Sequence, residues 1–237
     1  MRKLYRAWLA AALCLSSAAA AARAQAGPPD KPFEQWALKE AEALLTESPW
    51  AQTAGSLTGG TLSFNRDVYA LPGRFWTVRL RSALPVRRAM LRLRQLREKY
   101  DEMSERKRAE FDEKNRPLAE CPPCADHYAV SLVPPSGGRI GAPSSLNSMP
   151  LARLKLHVRL ADEKGERREL VHFTPSKAQG QEVVFFFARY DAEGKPLLTP
   201  SSKKLIFTLD PEVLSTNTIS RFEFDVSKMI VGGEVAF

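Results

Sequence analysis

The stretch VVFFFARYDAEG, residues 183–194, decides the fold. Val183 to Tyr190 is a run of β-branched and aromatic residues, and it ends in Asp191-Ala192-Glu193-Gly194. Asp at the first position and Gly at the fourth suit a type I turn closed by a bulge, so the run is a strand entering a hairpin. Phe185, Phe186 and Phe187, with Tyr190, read as a strand buried on both faces; the competing reading is an aromatic ligand platform.

The same turn form recurs upstream as Asp162-Glu163-Lys164-Gly165. Before it, Leu154, Leu156, Val158 and Leu160 alternate with Arg153, Lys155, His157 and Arg159, which predicts a half-buried strand. After it the chain returns through Leu170, Val171 and Phe173. Further strands are expected at 203–209, 219–226 and 229–237, and another at His127 to Val133 with Tyr128, Val130 and Leu132 inward. Six or seven strands with turn signals at short spacing predict an antiparallel β-sandwich over residues 119–237, and an immunoglobulin-like architecture fits that count.

The preceding part, 27–118, reads as mainly helical. A helix is expected over 33–47, with Phe33, Ala37, Ala41, Leu44 and Leu45 as its apolar stripe. Trp76, Val78 and Leu80 alternate with Thr77, Arg79 and Arg81 in a strand. A helix then runs from Val86 to Tyr100, with Pro85 in its first turn. Ser104 to Lys114 either continues it or restarts with Ser104 as N-cap. The expected class is therefore α+β, a helical N-terminal segment packed on a C-terminal sandwich. Residues 117–150 hold seven prolines, and the stretch from Pro134 to Pro150 reads as a mobile loop.

Residues 1–26 set the expected compartment. Arg2, Lys3 and Arg6 precede an apolar run from Ala7 to Leu15, and Ala-x-Ala sites lie at 22–24 and 24–26. This is the layout of a cleaved secretory signal; the apolar run falls short of the roughly 20 residues of a spanning helix. A lipoprotein reading of Cys14 is disfavoured by Leu13 before it. The full chain of 237 residues has net charge +8, and residues 1–26 carry four basic and no acidic side chains, leaving +4. So mild a balance gives no argument for nucleic acid.

Cleavage leaves two cysteines, Cys121 and Cys124, flanking Pro122-Pro123. A zinc site needs four ligands and only His127 is near; haem attachment needs His at position 125, which is Ala. A thioredoxin-like redox site opens a helix after a strand, whereas this pair follows helix and precedes strand. A structural disulfide is the preferred reading. Two trans prolines in extended geometry would separate the Cα atoms by roughly 9 Å, beyond the roughly 7 Å a disulfide spans. Closure therefore needs a turn, and Pro123 at its third position predicts a cis bond there.

Segment 74–99 carries nine basic residues against Glu98. Arg87, Arg88 and Arg92 are the candidate partner-binding residues, for an acidic envelope protein or anionic lipid. The preferred reading is nevertheless a solvated face, or pairing with carboxylates such as Glu40, Glu42 or Glu47. His157 and His172 lie on the two arms of one hairpin; the core pattern makes them direct neighbours, and the bulge displaces them by one. No Gly-x-Ser-x-Gly, His-Glu-x-x-His or P-loop is present, and Asp126-His127 alone is a weak triad fragment. No catalytic residue, metal or cofactor is expected. The functional expectation is an exported, non-catalytic binding or assembly protein of the cell envelope. The alternatives are a thiol-disulfide redox protein using Cys121 and Cys124, or a hydrolase assembled from scattered residues.

Overall fold

A computed structural model describes residues 27–57, 60–63, 74–134, 144–178, 181–215 and 219–236. The export signal at 1–26 and most of the loop expected to be mobile, 135–143, lie outside the described residues. Among the described residues, no helix is long and apolar enough to cross a membrane.

The chain is α+β. It opens with a 3-10 turn, Phe33–Gln35, and helix α1, Leu38–Leu44. The sequence predicts one continuous helix here. The break falls at Trp36, which is extended (ψ 132°) and 2 % exposed, with its carbonyl taken by Arg92 Nε at 2.9 Å instead of by a helical N–H. Glu40 Oε2 then accepts from the Ala37 N–H at 2.7 Å, which starts α1. Strands β1 (Ala51–Leu57), β2 (Gly60–Ser63) and β3 (Arg74–Leu80) follow.

Helix α2, Leu84–Arg97, has Pro85 in its first turn as expected. It stops where Lys99 enters the left-handed region (φ 55°), so the next helix is a restart after the 3-10 turn Tyr100–Glu102. Helix α3, Glu105–Glu120, outruns its expected end at Lys114 and passes through Pro117. Phe111, Asn115 and Leu118 are buried at helical spacing, so tertiary packing outweighs the hydrogen bond that proline removes.

Strand β4, His127–Val133, coincides with its prediction. After α4, Ser144–Ser148, comes the largest departure from the sequence reading. Leu151–His157 is a helix, α5, and only Val158–Asp162 is strand, β5. Pro150 takes the N-cap position. Leu154 is fully buried while Leu156 is 68 % exposed, whereas a strand would have set both on one face. The chain continues as β6 (Arg167–Arg168), β7 (Leu170–Thr174), β8 (Val183–Ala188), β9 (Lys204–Leu209), a short helix α6 (Pro211–Leu214) and β10 (Ser220–Asp225). In place of the strand expected over 229–237 there is a two-residue hairpin, β11 (Ile230–Val231) and β12 (Glu234–Val235). Gly232 and Gly233 turn it with positive φ.

The strands form two antiparallel sheets of order β2-β1-β3-β4-β8-β7 and β10-β9-β5-β6, besides the small hairpin. The first sheet draws strands from both segments of the chain, β1 to β3 beside β4, β8 and β7. The sheets meet through rings: Phe207 on β9 lies 5.6 Å from Phe185 and 6.1 Å from Phe187 on β8, with Phe222 at 6.3 Å beside it. Both Asp-x-x-Gly turns form as predicted. In each, the Gly N–H donates to the first Asp carbonyl, at 3.2 Å for Gly165 and 3.1 Å for Gly194, and φ is +84° and +80°. The register follows the bulge: Leu160 faces Arg168, and the chain then crosses at Glu169 into the other sheet.

Candidate functional site

The expected pairing of His157 with His172 does not occur. His157 ends α5, and His172 lies on β7 opposite Phe186. The ring of His157 sits between two carboxylates, Nδ1 3.3 Å from Asp210 Oδ2 and Nε2 2.6 Å from Glu212 Oε1. Arg159 holds Asp210, and Arg153 holds Glu212 at 2.8 Å. The carboxylates occupy opposite edges of the imidazole, so the three groups cannot converge on one ion, and the described residues contain no metal-holding group of His, Cys, Asp and Glu. This network ties α5 to α6.

Three arginines of 74–99, Arg79, Arg87 and Arg92, donate to backbone carbonyls, and Arg81 pairs with Glu182. Arg79 Nε donates to Leu45 O at 2.7 Å at the C-terminal end of α1, where a guanidinium satisfies an orphan acceptor and complements the helix dipole. Burial pushes the Arg79 pKa below the ordinary guanidinium value; Glu182 opposes that shift and Arg81 adds to it. Arg87 donates to Ser82 O at 3.3 Å and to Ala119 O in the last turn of α3. Burial likewise lowers its pKa, with neighbouring Arg88 adding to the effect. Arg92 is 7 % exposed, on Trp36 O. Arg94 holds Asn115 Oδ1 at 2.6 Å. Of the three candidate partner-binding residues, only Arg88 is exposed, with its guanidinium 5.8 Å from the Phe33 ring centre.

This arrangement separates the three arginines experimentally. Arg92→Ala leaves the buried Trp36 carbonyl without its donor and should cost about 1–2 kcal/mol. Arg88→Ala should stay within about 0.5 kcal/mol. Chemical denaturation of both variants checks the contrast, and equal losses would refute it.

Cys121 and Cys124 close a turn at the C-terminal end of α3, with their sulfurs at disulfide-bonding distance and Cα atoms 5.3 Å apart. The expected cis bond before Pro123 is corrected: no cis peptide occurs among the described residues. The turn comes instead from Cys121, whose left-handed backbone (φ 48°, ψ 65°) ends α3 and starts the 3-10 turn Pro122–Cys124. The carbonyls around it are all engaged. Cys121 O accepts from Cys124 N–H at 2.8 Å, Pro123 O lies 3.0 Å from His127 Nδ1, and Cys124 O accepts from Arg189 Nη1 at 2.9 Å. Arg189 also lies over the Tyr128 ring at 5.4 Å. Burial is the main cause raising the Tyr128 hydroxyl pKa.

Because the turn has these other anchors, Cys121→Ser with Cys124→Ser should lower stability by about 2 kcal/mol, the chain-entropy value for so short a loop, and leave the fold intact. A far-UV spectrum that collapses in the double variant would contradict this.

Phe186 remains half-buried on the face of β8 opposite Phe185 and Phe187, its ring 6.4 Å from His127 and 5.4 Å from His172. Sequence reasoning missed Arg168, which is 6 % exposed and joins the two Asp-x-x-Gly turns. It donates to Lys195 O at 2.9 Å, pairs with Glu166 Oε1 at 3.0 Å, and stands 3.6 Å from Asp191 Oδ2. The similarity of the two turns was visible in the sequence, but nothing local shows that they touch. Comparison with protein-family models, with curated proteins and with solved structures finds no match for this chain.

Proposed function

We propose that the protein is a non-catalytic binding or assembly protein of the cell envelope, exported by the segment 1–26. One observation carries this reading: the side chains best suited to chemistry are spent on holding the chain. His157 is flanked by carboxylates at both nitrogens; Arg87 and Arg92 of α2 hold main-chain carbonyls; the cysteines close a turn. For a partner, α2 and α3 form an open groove of about 370 Å³ between Leu91, Ala109 and Asn115, rimmed by Asp112, Glu113 and Arg116.

Two measurements test the proposal. N-terminal sequencing of protein recovered from the envelope should begin at Gln25 or Gly27; retained Met1 or a lipid on Cys14 would overturn the export route. A photocrosslinker at Leu91 should give a discrete adduct with an envelope component, lost on Arg116→Glu, whereas no adduct from properly exported protein counts against this groove as the contact surface.

The second reading is a thiol-disulfide redox protein. It is supported by the unequal exposure of the pair, Cys121 being half-buried and Cys124 6 % exposed. Against it, the pair sits at the C-terminal end of α3, where the helix dipole disfavours a thiolate. Turnover of a disulfide-bonded substrate by the native pair, abolished by Cys121→Ser, would establish it in place of the first.

A further inference from the structure

We propose that Cys121 is a site of covalent thiol modification: external low-molecular-weight thiols, glutathione among them, attack the disulfide at Cys121 Sγ and expel Cys124. The inference rests on the disulfide between the pair and on neither reading of the protein's role.

Thiol–disulfide exchange is decided by which sulfur the incoming thiolate can reach and which sulfur leaves more readily as a thiolate. Access favours attack on Cys121. It is half-buried at the end of α3, whereas Cys124 is 6 % exposed and packed at the start of the segment leading into β4.

Departure favours Cys124. The Arg189 guanidinium is anchored on the main chain of Cys124 and holds a fixed positive charge beside that residue. Cys121 has the opposite surroundings: it caps the negative end of the α3 dipole, and Glu120 precedes it in the chain. That charge offsets the cost of burying a thiolate on Cys124, while the helix end opposes one on Cys121, so both criteria select the same direction of attack.

The step balances without any other reactant. The incoming thiolate donates its electron pair to Cys121 Sγ and a new S–S bond forms. The Cys121–Cys124 bond breaks, and its electron pair leaves on Cys124 Sγ. A second equivalent of thiol, attacking the mixed disulfide, completes the reduction: two small thiols become one disulfide, and the protein disulfide becomes two thiols.

The test uses the exported, oxidised chain. A disulfide is first confirmed by mass mapping under alkylating conditions; two free thiols at that stage would remove the disulfide itself, an outcome distinct from failure of the regiochemistry. The chain is then treated briefly with limiting glutathione, quenched with iodoacetamide and digested. The expected product carries glutathione on Cys121 and the alkyl group on Cys124, at least tenfold over the reverse. Arg189→Met, with its fold checked by circular dichroism, should reduce that preference several-fold. Glutathione mainly on Cys124, or an even split between the two, would overturn the proposal.

Discussion

Phe207→Ala is expected to destabilise the protein by about 3–5 kcal/mol. Phe207 is fully buried on β9, and its ring contacts Phe185, Phe187 and Phe222. Three of its neighbours are bulky rings fixed on regular strands, which cannot collapse far into the space left behind. Such a loss is a large share of the roughly 5–15 kcal/mol by which a domain is ordinarily stable, so the variant should be partly unfolded at 37 °C. Urea titration should show a much lower midpoint with an unchanged slope. Phe186→Ala is the control: that ring is half-exposed on the other face of β8, and its loss should be markedly smaller. If the two variants lose equally, the rings between the sheets do not carry the stability assigned to them.

Arg168→Met should be the next most damaging single change, at roughly 3 kcal/mol, because it strands carbonyl and carboxylate acceptors of two turns at once. Arg168→Lys should not rescue it, since one ammonium cannot reproduce a planar guanidinium that reaches Lys195 O and Glu166 together. A titration gives a second readout. The hydrogen bond from Arg168 is the main influence holding the Glu166 carboxyl below the usual carboxylate range, with Lys195 assisting. A carboxyl lowered in the folded state contributes stability above its unfolded pKa, and that contribution is lost as pH falls through the folded value. In Arg168→Met the Glu166 titration should move upward and this part of the acid sensitivity should shrink. A Glu166 titration that does not move would show that Arg168 is not its partner in solution.

The parts of the fold that were legible in the sequence are those governed by local rules. Both Asp-x-x-Gly turns, β4 and the start of α2 at Pro85 follow from turn chemistry, period-two alternation and proline placement. Leu151–His157 was misread because its apolar residues satisfy a strand's alternation and a helix's spacing over so short a window. The choice was made by what Leu154 packs against, which no window contains. Trp36 fails for a similar reason, its carbonyl being claimed by Arg92, 56 residues away. The candidate arginines were found as a charge pattern, and the pattern does not say what the guanidinium groups face. A run of guanidinium groups looks the same in sequence whether it faces an acidic partner or the protein's own carbonyls. Cys121–Cys124 was legible as a closed turn, although the residue that bends was the cysteine and not the second proline.

The crossing at Glu169 has a consequence for how the molecule can be taken apart. From β5 onward the chain visits the second sheet, the first, and then the second again, so neither sheet is encoded by an uninterrupted piece of the gene. A protease that nicks the chain between β8 and β9 would release no autonomous half. The first sheet would stay whole on the N-terminal piece, but the second would be divided, β5 and β6 on one piece and β9 and β10 on the other, and the nicked pieces should co-elute until denaturant separates them. The two sheets are stitched together as one garment, and a cut thread does not divide it.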